Sequence, residues 1–185
     1  MEVATEARTH TRSVISTAEG LLSQLTSAET SQRGYVLTGD EDFLKPYLAG
    51  RDSIPGTLED LRQNARIKAS QTHLSTLSPL ITARLAELAQ GIVLRRNNEM
   101  KAVLALVKSG QGKLLMDTIQ IEINTLVQIE ENALAQLEDE FQSSMRQLFF
   151  IFLGVSLSAL LSVLSFAYLI YSKNQQRLKD LLYLE

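Results

Sequence analysis

From Leu148 to Tyr171 the chain reads LFFIFLGVSLSALLSVLSFAYLIY, without a charged residue or a proline. As a helix rising about 1.5 Å per residue it is roughly 36 Å long, enough to cross a hydrocarbon core of about 30 Å with some tilt. A helix buried in a protein core rarely stays apolar on every side for that length. The stretch is therefore expected to span a membrane, with Leu148 and Tyr171 at its boundaries.

The flanks give it a direction. Lys173, Arg177 and Lys179 follow the stretch, whereas Arg146 stands alone before it, behind Glu130, Glu131, Glu138, Asp139 and Glu140. Basic residues stay on the cytoplasmic side and acidic ones count for little. The expected layout is an extracytoplasmic helical domain over 1–146, a transmembrane helix over 147–172 and a cytoplasmic stub over 173–185. The opening MEVATEARTHTRSV has no apolar region of the kind that exports a protein. Met1 is thus expected to mark a cut in a longer protein, and Leu184 with Glu185 a vector remnant.

The 185 residues leave room for one domain of ordinary size besides the span. A net charge of −3, with no basic stripe, lacks the electrostatic footprint of a nucleic-acid binder. Without cysteine, disulfides and thiolate chemistry are excluded. Proline and glycine are scarce, and Ala, Leu, Glu, Gln, Ser and Thr dominate, which favours long helices over sheets.

Apolar residues recur at steps of three and four from about Ala4 to Leu37, predicting a first amphipathic helix. It is expected to stop at Thr38-Gly39, where Thr38 to Glu41 has the capping-box spacing and Gly39 suits a left-handed cap. A second helix is predicted over about Glu41 to Arg66, bent at Pro46 and Pro55. The polar patch Lys68 to Thr72 is expected to connect it to a third, bent near Pro79, that runs to a turn at Arg95-Arg96-Asn97-Asn98. A short helix, Glu99 to Lys108, then ends at Ser109-Gly110-Gln111-Gly112. In the last helix Met116, Ile119, Ile123, Leu126, Ala133, Leu137 and Phe141 alternate by threes and fours, interrupted by Glu130. With no proline before the span, helix and span are expected to form one rod of about 60 residues, roughly 90 Å. The predicted fold is all-α, an antiparallel up-down four-helix bundle whose last helix continues into the transmembrane helix.

No catalytic or metal site is expected, and no cofactor. His10 and His73 have no carboxylate or second histidine at ligand spacing, and both read as surface residues. Glu130-Glu131 and Asp139-Glu140, adjacent on a helix, read as a solvated face rather than a catalytic pair. Gly110-Gln111-Gly112-Lys113 is too short to cradle a phosphate as a P-loop does. Glu29 and Arg33, four apart in the favourable order, read first as an intrahelical ion pair. Arg33 could instead be partly buried and meet an anionic ligand, which makes the two the candidate ligand-binding residues.

The segment Ala28 to Phe43, AETSQRGYVLTGDEDF, followed by Leu44-Lys45-Pro46-Tyr47, resembles the signature of the third CHASE family, the cyclase and histidine-kinase associated sensory extracellular domains. So do His10-Thr11, Leu94-Arg95-Arg96 and VKSGQGKLLMDTI from Val107 to Ile119. The resembling positions are Arg33, Gly34, Tyr35, Thr38, Gly39, Asp40, Phe43, Tyr47, Gly112, Met116 and Asp117, with Ser31 where the family usually has glycine. The resemblance implies the input domain of a bacterial sensor histidine kinase or related receptor in the inner membrane, framed by two spans of which only the second is in this chain. It implies a homodimer and a cytoplasmic kinase or other output module in the same native protein. The stimulus, small molecule or protein, is undefined. Most motif positions suit structural roles: turn at Gly39 and Asp40, packing at Gly34, Tyr35 and Tyr47. Ala133, Leu137 and Phe141 are the expected relay positions on the last helix, and Lys173 marks the cytoplasmic boundary. The competing reading is a tail-anchored helical-bundle adaptor, which the flanking charges disfavour.

Overall fold

The structure, a computed structural model, describes residues 2–182, and within them the side chains of residues 5–139, 142–171 and 173. The side chains of Phe141, Arg177 and Lys179, and the whole of Leu184 and Glu185, lie outside the described residues. Helix α1 runs Glu2–Thr38, a 3-10 turn covers Glu41–Phe43, and α2 runs Leu44–Asn64. Helix α3 follows over Lys68–Arg96, the short α4 over Met100–Lys108, and α5 over Gln111–Leu182. No strand occurs among the described residues. The fold is all-α, and the connections of a few residues turn successive long helices back on one another in an antiparallel bundle.

The same sequence rule builds each helix. In α1 the buried positions include Thr11, Val14, Ala18, Leu21, Leu25, Ala28, Gln32 and Tyr35; in α3 they include Ser70, Leu74, Leu77, Ile81, Arg84 and Leu88. In α5 they include Ile119, Ile123, Leu126 and Glu130. Steps of three and four put these residues on one stripe per helix, the seam along which bundle helices interlock. Up to Gln136 the chain forms one compact unit, and from Leu137 a second. Within the first, Val14, Leu21, Ile54, Leu61, Leu77, Ile123 and Leu126 belong to one apolar cluster. A smaller cluster holds Ala28, Tyr35, Leu44, Tyr47, Leu88 and Ile92. In the second unit every described side chain from Leu148 to Tyr171 is exposed.

Several boundaries differ from expectation. Lys68 to Thr72 is the first turn of α3 rather than a connector, because Ser70 is fully buried and belongs to the seam; the link is Ala65 to Ile67. Arg95 and Arg96 close α3, and the turn is Asn97 to Glu99, with Asn98 at φ 60°. Only Ser109 and Gly110 interrupt the helix before α5; Gly112 is already helical. Helix α2 continues through Pro55 and α3 through Pro79, and Pro46 lies in the first turn of α2, where a missing N–H costs no helical bond.

At the first turn the cap is Asp40, not Thr38. The Asp40 carboxylate accepts from the Asp42 N–H at 2.9 Å, while the Thr38 hydroxyl donates to the Gly34 carbonyl at 2.8 Å and accepts from the Asp40 N–H at 3.1 Å. Gly39 sits at φ +77°, where a side chain strains the backbone. Gly39→Ala is expected to lower stability by about 1 kcal/mol, with Gly39→Asn losing less, in thermal unfolding followed by circular dichroism.

Candidate functional site

Arginine at position 84 occupies a seam position of α3, between Ile81 of the larger cluster and Leu88 of the smaller. Only 6% of it is exposed. A guanidinium taken out of water needs partners, and two carboxylates supply them. Nη1 donates to Glu87 Oε2 at 2.6 Å, one turn along α3, and Nη2 lies 3.2 Å from Glu29 Oε1 on α1. The third donor, Nε, is buried and has no hydrogen-bond partner.

The start of α5 closes in from another side. A Cβ on Gly112 would stand 2.5 Å from Arg84 Nη1 and 2.5 and 2.6 Å from the Glu87 carboxylate oxygens. A side chain here would therefore push aside the ends of Arg84 and Glu87 and disturb their ion pair. Around this cluster lies a cleft of about 410 Å³, walled by apolar groups including Leu88, Leu106 and Met116, with Lys113 and Asp117 also lining it. Lys113 and Asp117 are paired with each other. A roomier depression of about 860 Å³ runs along the hydroxyl-rich face of α1 past Phe43 and Asn124, but no buried charged group lines it.

Of the two candidate ligand residues, Glu29 belongs to this cluster and Arg33 stands at its edge. Arg33 Nη1 is 3.6 Å from Glu29 Oε1, and its side chain is 74% exposed. The partly buried arginine is thus Arg84, not Arg33. The 3-4 step of α3 could have disclosed it, since 77, 81, 84 and 88 continue one stripe in which a charge replaces an apolar residue.

The solvated-face reading of Glu130-Glu131 holds for Glu131 alone. Glu130 is 2% exposed and accepts from the fully buried Ser70 hydroxyl at 2.7 Å, because residue 130 continues the stripe of 119, 123 and 126. His73 is likewise not a free surface residue: its Nδ1 lies 2.6 Å from Glu122 Oε2, and both are half-buried. His10 has a buried Nε2 with no partner. Among the described residues no group of three metal-ligating side chains converges.

The sequence profile of the CHASE3 domain matches residues 4–140. The chain belongs to the CHASE3 family. The solved sensor domain of the histidine kinase HK9 from Rhodopseudomonas palustris resembles it with a TM-score of 0.62 at 25% identity, covering 68% of this chain and 98% of that one. No curated protein matches the chain.

In the CHASE3 domain the other motif positions gather near the first turn. Tyr35 and Tyr47, each 3% exposed, pack in the smaller cluster, where burial raises the Tyr47 phenol above its ordinary range. Gly34 leaves room for the Phe43 ring, whose Cδ1 would lie 2.4 Å from an added Cβ. Across the turn Arg96 grips Glu41 with two bonds, Nη2 to Oε2 at 2.8 Å and Nε to Oε1 at 3.1 Å. That grip holds the Glu41 carboxyl below the usual carboxylate range. Met116 is half-buried in α5, Ala133 is half-buried and Leu137 is 49% exposed. Leu148, Tyr171 and Lys173 are exposed.

Proposed function

We propose that this chain is the extracytoplasmic input domain, with the second transmembrane helix, of a bacterial sensor histidine kinase or related receptor. Residues 1–146 lie outside the inner membrane, 147–172 cross it and 173–185 enter the cytoplasm, where an output module of the same native protein follows. The observation that carries the reading is α5, one uninterrupted helix over Gln111–Leu182. Its first part contributes Ile119, Ile123 and Leu126 to the apolar core, and its later part contains the charge-free stretch. A helix shared in this way is the proposed route for a slide, tilt or rotation of about 1 to 2 Å. CHASE3 membership and the likeness to a kinase sensor domain support the sensory assignment.

The native unit in this reading is a homodimer, with Ala133, Leu137 and Phe141 on the stripe that faces its copy. Single cysteines introduced from Leu134 to Met145 in the membrane-embedded chain are expected to cross-link with a period of three to four residues, read as disulfide-linked dimer on gels. A flat yield along the scan removes the paired-helix relay.

A further inference from the structure

We propose that the cleft beside Arg84 binds a zwitterionic small molecule with an apolar body, of the α-amino-acid class. The proposal rests on the sensory reading above, for which it names the chemistry of the stimulus. Three observations point the same way.

The first is the unused donor. Arg84 commits Nη1 and Nη2 to carboxylates, while Nε is buried and unpartnered in a side chain that lines the cleft. Buried N–H groups are almost always paired, so this one is free to take an acceptor oxygen when the Arg84 side chain turns toward the cleft. The second is the charge inventory. Arg33, Arg84 and Lys113 face Glu29, Glu87 and Asp117 around one cleft. Three cations against three anions favour neither a simple anion nor a simple cation, but a ligand carrying both charges at separate atoms can meet one of each. The third is size and lining: about 410 Å³, with Leu88, Leu106 and Met116 among its apolar walls, suits a small ligand with a hydrocarbon body.

In the pose that satisfies these groups, the ligand carboxylate accepts from the exposed guanidinium of Arg33, which Glu29 holds only at 3.6 Å, and from Arg84 Nε once that side chain turns toward the cleft. The ligand ammonium donates to Glu29 and Glu87, each of which gives Arg84 one oxygen. Binding thus competes for the Glu29–Arg84 link between α1 and α3, directly against Gly112 at the start of α5.

The test is calorimetric titration of the full chain in lipid nanodiscs with L-leucine, L-methionine and L-phenylalanine, beside 4-methylpentanoate and 3-methylbutylamine, which each lack one charge. At least one amino acid is expected to bind saturably, and the single-charge analogues at least about tenfold more weakly. Arg33→Gln, a change at an exposed rim residue, is expected to weaken amino-acid binding severalfold and leave the amine unaffected. No binding by any of the three amino acids at millimolar concentration, equal binding of an analogue, or indifference to Arg33→Gln overturns the proposal. A chain that fails here but keeps the periodic cross-linking retains the relay and loses this ligand class; a chain that binds but cross-links without period does the reverse.

Discussion

Arg84→Met is expected to destabilise the helical domain by about 3 kcal/mol, the lower end of the range for breaking a buried ion pair from one side. The cause is the pair of carboxylates left behind. Glu87 and Glu29, with side chains 12% and 21% exposed, lose the cation that offsets their removal from water. Their residual access to solvent keeps the loss from being larger. The change should lower the midpoint of thermal unfolding by about 10 °C, followed by circular dichroism on the full chain in detergent. The combination Arg84→Met, Glu29→Gln and Glu87→Gln should recover much of the loss, since replacing a whole buried ionic cluster is often close to neutral. An unchanged midpoint in the single variant would show that the cluster contributes nothing to stability.

Leu160→Arg is expected to move the chain out of the carbonate-resistant membrane fraction. Leu160 is 59% exposed and lies near the middle of a stretch whose described side chains are all exposed. In water so large an apolar surface would aggregate, whereas in lipid it is satisfied. An arginine at the centre of a span costs about 2.5 to 3.5 kcal/mol in insertion, enough to change the inserted fraction about a hundredfold. Leu114→Arg is the matched control: Leu114 is 67% exposed in the helical domain, so its partition should not change. Helix α3 shows why exposure matters to this reading. It too is long and apolar enough to span a membrane, yet Leu74, Leu77, Ile81 and Leu88 are buried in the domain core.

Helix existence was legible because three-four spacing is a local property. Each long helix of the domain carries it, and its apolar members were readable without knowing their neighbours. Boundaries were less so. Lys68 to Thr72 looks like a linker by polarity, and only contact with α5 reveals that Ser70 is a core residue. The same limit hid the centre of the candidate site. Glu29, Arg33, Gly112, Met116 and Asp117 stood out in the sequence, and all line one cleft. Their common neighbour Arg84 did not, because a search for apolar stripes passes over a charge. Whether that charge is buried depends on the register of α1 and α3, which no single helix encodes. Glu130 is the counterpart: its odd place in the stripe was visible, but its partner Ser70 lies 60 residues away.

The two apolar clusters are unequal, and the Arg84 layer falls between them. Leu85 is the half-buried side chain that packs against both. A layer of ion pairs is expected to interlock less tightly than interdigitated hydrocarbon, so the smaller cluster is expected to loosen before the larger. On that expectation the domain has a soft end and a hard end. Tyr35, Leu44 and Tyr47, with the turn at Gly39, belong to the soft end, whereas Ile123 and Leu126 of α5 are fixed in the hard one. In the proposed relay, a disturbance at the former would reach the latter through α1, α2 and α3, which contribute to both clusters.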